Sequence, residues 1–94
     1  MSGETLQPNL VGGLFKLKGT QNYLDWKFQM QNYLDNKGLW SAASPKIKAD
    51  GSFEAVNSDR DRQSRSLLCM SIEPVCYPKV RAAKTAQKVW TMLN

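Results

Sequence analysis

The side chains able to do chemistry here are two thiols, Cys69 and Cys76, a scatter of carboxylates and a loose series of amines, with no histidine. Two cysteines at this spacing without histidine fit no zinc pattern. Their neighbours are apolar, so both read as small core residues in a reducing compartment rather than as a disulfide. Lack of histidine also removes the commonest proton carrier and any Ser-His or Cys-His nucleophile pair. The acidic pairs Asp25/Asp35 and Asp59/Asp61 lie among polar residues, where carboxylates solubilise. Gly12-Gly13 lacks the Lys-Ser/Thr that must follow in a phosphate-cradling loop. The expectation is therefore a non-enzymatic domain with no catalytic set, no metal and no cofactor.

Thirteen basic against eight acidic residues give a net charge of +5. That balance permits contact with nucleic acid or an anionic surface without demanding it. The nearest thing to a basic strip is Lys79, Arg81, Lys84 and Lys88, around the last expected helix. Arg60, Arg62 and Arg65 alternate with Asp59 and Asp61, which reads as a solvated, self-neutralised helix start, or alternatively as part of an RNA groove. The aromatic residues follow helical rather than strand spacing, which favours core use over a base-stacking platform.

The elements that must position these groups are helical. Residues 1–13, with Ser, Gly, Pro and Asn, read as a flexible N-terminal arm, and Leu14 to Leu17 as a short extended stretch against the core. A first helix is expected from about Asn22, its cap, to Lys37. Tyr23, Trp26, Met30, Tyr33 and Leu34 mark its buried face, and Gly38 is its left-handed C-terminal residue. Leu39 and Trp40 should fold back on that helix. At about 100° per residue, Leu24 and Phe28 fall on the opposite side as an apolar i, i+4 pair. Either another part of the domain covers them, or they are a contact surface for a neighbouring subunit.

Residues 41–57 read as a loop, with Phe53 as an anchor. A second helix should start at Asn57 or Ser58 and run to about Ser71. Its apolar end, Leu67-Leu68-Cys69-Met70, is the end expected to be buried. Pro74 opens one or two turns between Val75 and Val80, which Pro78 keeps short. A last helix, capped by Thr85, carries Ala86, Val89, Trp90 and Leu93 as an amphipathic stripe. Nothing closes that stripe before Asn94, the pattern of a domain cut from a longer protein. No apolar run spans a bilayer and Met1 to Asn9 has no signal-peptide pattern, so the expected location is cytoplasmic.

Two stretches carry a recognisable pattern. One is Leu17-Lys18-Gly19-Thr20-Gln21-Asn22-Tyr23-Leu24-Asp25-Trp26-Lys27-Phe28-Gln29-Met30 with Tyr33-Leu34 and Gly38-Leu39-Trp40. The other is Ser66 to Ile72, then Val80-Arg81-Ala82-Ala83-Lys84-Thr85-Ala86-Gln87-Lys88-Val89-Trp90. Together, Asn-Tyr-x-x-Trp and the downstream Thr-Ala-x-x-x-Trp resemble the N-terminal capsid region of the Gag polyprotein of copia-type LTR retrotransposons, or a domesticated host derivative of it. The resemblance covers residues 14–93.

It implies an all-α domain of about four helices, over residues 14–94, like the N-terminal part of a retroviral or retrotransposon capsid. It also implies self-association into oligomers or virus-like particles. The matching motif residues, Tyr23, Trp26, Met30, Leu39, Trp40, Thr85, Ala86 and Trp90, are mainly core in such a fold, alongside Leu17, Leu34, Leu68, Ile72, Val89 and Leu93. Leu24 and Phe28 are then the candidate self-association surface. The expected partner is a second copy of the chain, with no membrane. A domesticated derivative, cytoplasmic or nuclear, would instead act as an adaptor or dimerisation module for a host protein or peptide. RNA contact through the basic strip is a third reading, weak for this fragment because the family's nucleic-acid-binding knuckle lies downstream.

Overall fold

The computed structural model describes residues 14–93, so the expected arm at residues 1–13 and the final Asn94 lie outside the described residues. The described chain is mostly helical. A 3-10 turn, Thr20–Asn22, runs into α1 (Tyr23–Asn36); α2 is Trp40–Ala43, α3 Ser58–Met70, α4 Tyr77–Val80 and α5 Ala86–Leu93. Among these residues only isolated β-bridges occur, Leu17 to Ile72 in parallel and Ile47 to Phe53 in antiparallel.

α1 buries one seam. Trp26, Met30 and Leu34, four residues apart in succession, are fully buried. The helix ends in a Schellman motif: Gly38 has φ 72°, Leu39 N–H donates to Leu34 O (2.7 Å) and Gly38 N–H to Asp35 O (3.0 Å). That reversal seats Leu39 in the core against Leu34 and starts α2 at Trp40. Here the structure differs from the expected loop at 41–57, because a single turn is too short to display a period. Residues 46–54 close into a tight hairpin on Lys48 N–H to Ser52 O (2.7 Å) and Glu54 N–H to Lys46 O (2.8 Å). Phe53 is half exposed there, paired with Ile47 rather than anchored in the core.

α3 starts where Asn57 Oδ1 accepts the N–H groups of Asp59 (2.9 Å) and Arg60 (3.1 Å). At its other end only Leu68 is fully buried; Leu67 and Cys69 are half-buried and Met70 is 55% exposed. Four successive helical residues fan over about 300°, so one face of the run must look outward. Pro74–Cys76 is a 3-10 turn, and Pro78 sits within the first turn of α4 where its missing N–H costs nothing. Thr85 Oγ1 accepts Lys88 N–H (3.2 Å) at the start of α5, while Asp61 Oδ1, reaching from α3, accepts Ala86 N–H (2.8 Å). Asp61 is thus a cap for a second helix and not a solubilising carboxylate.

The core gathers Leu17, Trp26, Met30, Leu34, Leu39, Leu68, Ile72, Ala86, Val89, Trp90 and Leu93, joined by Cys76 and Val80. Tyr23 and Trp40 are only half-buried, packed against it. Trp90 ties three helices together: its ring stacks on Trp26 (5.8 Å between centroids) and meets Trp40 edge-on (5.0 Å).

Candidate assembly surfaces

The extended residues 15–18 are held from both sides, which fixes the N-terminal edge of α1. On one side, Leu17 N–H donates to Ser71 O (2.9 Å) and Glu73 N–H to Leu17 O (2.8 Å). On the other, two amides of the α1 segment replace a neighbouring strand. Gln29 accepts Phe15 N–H and donates to Phe15 O, both at 3.0 Å. Asn22 accepts Lys18 N–H and donates to Lys16 O, both at 2.9 Å. Asn22 therefore does not cap α1 with its side chain. The 3-10 turn leads directly into the helix, which turns this amide back onto the preceding chain. Trp26 Nε1–H completes the junction by donating to Ser71 O (2.8 Å).

With Trp26, Met30 and Leu34 facing inward, the outer face of α1 is set by rotation. Leu24 is 76% exposed and Phe28 73%. No other part of the described chain covers them, so the first of the two readings left open by the sequence does not hold among the described residues. Asp25 and Asp35 share this face. The helix's lysines turn aside: Lys27 Nζ lies over the Tyr23 ring (5.8 Å) and Lys37 Nζ, at the C-cap, over Tyr33 (5.5 Å).

No family model, curated protein or solved structure matches this chain.

A groove of about 360 Å³ lies between the second half of α3 and α4, lined by Arg65, Cys69, Met70, Tyr77, Val80, Arg81 and Ala83. Burial pushes the Cys69 thiol up in pKa, and the nearby Arg65 charge pulls it partly back. Both cysteines are free thiols; Cys76 is buried and Cys69 half-buried in the groove wall rather than in the core. A larger hollow of about 500 Å³ lies beside Tyr33, with Lys37 and Arg62 among its lining.

The basic strip is exposed throughout, at Lys79, Arg81, Lys84 and Lys88, but it is not one surface. Arg81 borders the groove with Arg65, whereas Lys79 borders a different hollow with Leu17, Tyr23 and Leu93. Of the other arginines, Arg62 pairs with Asp59 (2.8 Å) and Arg60 donates to Gly38 O (3.1 Å). Sequence reasoning singled out neither Gln29 nor the groove. Gln29 had no local signal, and the groove joins residues of two separate helices. Among the described residues no helix is long and apolar enough to cross a membrane.

Proposed function

We propose that this chain is a capsid-type assembly domain, akin to the N-terminal part of a copia-type Gag, whose copies associate through the outer face of α1. The observation that carries the reading is the exposure of Leu24 and Phe28 side by side on a helix whose other large apolar residues are buried or half-buried. Exposed apolar pairs with no structural duty are characteristic of contact surfaces. A small patch gives a weak pairwise contact, and assembly follows from many such contacts acting together.

The test is solution mass against protein concentration, by light scattering after size exclusion at low and high salt. Mass that climbs with concentration supports the reading. A strict monomer at every concentration overturns it. A fixed 1:1 complex with an unrelated protein, in place of self-association, would favour a Gag-derived adaptor.

A further inference from the structure

Two surfaces of this chain are unmatched among the described residues and opposite in character. The outer face of α1 is apolar and acidic: Leu24 and Phe28 share it with Asp25 and Asp35, and neither carboxylate has an ion-pair partner among the described residues. The groove between α3 and α4 is apolar and basic. Cys69, Met70, Tyr77 and Val80 line it, Arg65 and Arg81 flank it, and no carboxylate among the described residues borders it. Neither arginine has an ion-pair partner among the described residues. The larger hollow beside Tyr33 lacks this property, since Arg62 is already held by Asp59 and Lys37 by the Tyr33 ring.

We infer that this groove receives the outer face of α1 from a second copy, with Phe28 and Leu24 on its apolar floor and Asp25 and Asp35 facing Arg65 and Arg81. The inference rests on the self-association reading and names its mating surface. Copies carrying a net +5 repel one another, so local opposite charge favours a contact between them, and this pair of surfaces supplies it. Because the two patches are different parts of one chain, the contact is heterologous: a bound pair still offers one free α1 face and one free groove. Such a contact propagates to a ring or an open array instead of stopping at a dimer.

Two full-length variants test this. Phe28→Asp removes the apolar knob and keeps the groove; Arg65→Glu/Arg81→Glu reverses the groove and keeps the knob. Each alone is expected to stay monomeric at concentrations where the parent assembles. An equimolar mixture is expected to form a species of twice the monomer mass that grows no further, since only one productive contact remains. In that mixture, alkylation of Cys69 on the Phe28→Asp copy should slow. If the double arginine variant fails to fold, Arg81→Glu alone serves, and should raise the concentration for half-association at least about tenfold.

A double arginine variant that assembles like the parent, or a mixture that stays monomeric while the parent assembles, overturns the inference and leaves the self-association reading intact. A parent that never assembles defeats both.

Discussion

At the scale of single residues, two buried side chains make opposite contributions. Trp26 fills the centre of the core and also donates its indole N–H to Ser71 O. Trp26→Ala is expected to cost about 3–5 kcal/mol, enough to unfold a domain of this size. Trp26→Phe keeps most of the ring and should cost less, because Ser71 O retains the Leu17 N–H. Denaturant melts separate the two, and a Trp26→Ala variant that melts like the parent contradicts the core described above. Ser64 is fully buried on α3 and its hydroxyl has no hydrogen-bond partner among the described residues. An orphaned buried hydroxyl is a net cost. Ser64→Ala removes it, and alanine is also the better helix former, so stability should rise by about 1 kcal/mol. A lower melting temperature for Ser64→Ala would show that the hydroxyl has a role in the packing of α3.

At the scale of elements, the segment 15–18 behaves like a strand whose second neighbour is made of side-chain amides. Gln29→Ala leaves both backbone groups of Phe15 without that partner, and Asn22→Ala does the same for Lys16 O and Lys18 N–H. Each substitution should cost about 1 kcal/mol. Amide hydrogen exchange should speed up at Phe15 for the first and at Lys18 for the second, with the amides of the second half of α1 unchanged. Exchange that stays slow at both sites would show that Ser71 and Glu73 hold the segment unaided.

Most of the helices were legible in the sequence because their signals are local. Asn57 and Thr85 cap through amides two or three residues away, Gly38 reverses the chain within one turn, and the Trp26–Met30–Leu34 seam repeats at the helical period. What was not legible depends on distant chain. Asn22 has the composition of a cap, but its partners are set by where residues 16–18 lie. Asp61 caps a helix whose first residue is 25 positions further on. Met70 closes an apolar run that has no period to say which residue turns outward. The groove escaped notice for the same reason, since Arg65 and Arg81 meet only once α3 and α4 are packed.

At the scale of the whole molecule, the chain combines a continuous apolar core with an outer face of α1 that its own described residues leave bare. Any association through that face has a charged and an apolar part. Salt screens the Asp–Arg attraction and the repulsion between +5 copies alike, over a Debye length of about 8–10 Å near physiological strength, and leaves the apolar part largely intact, so high salt should not abolish assembly. A nucleic-acid contact through Lys79, Arg81, Lys84 and Lys88 would behave differently, with affinity falling steeply as salt rises.

The most direct measurement compares Phe28→Asp with the parent, taking solution mass across a concentration series together with a thermal melt. Phe28 is 73% exposed, so the expected result is an unchanged melt and a mass that stays at the monomer while the parent's climbs. A Phe28→Asp variant that assembles as the parent does, or that loses its fold, would contradict the assignment of this face to assembly.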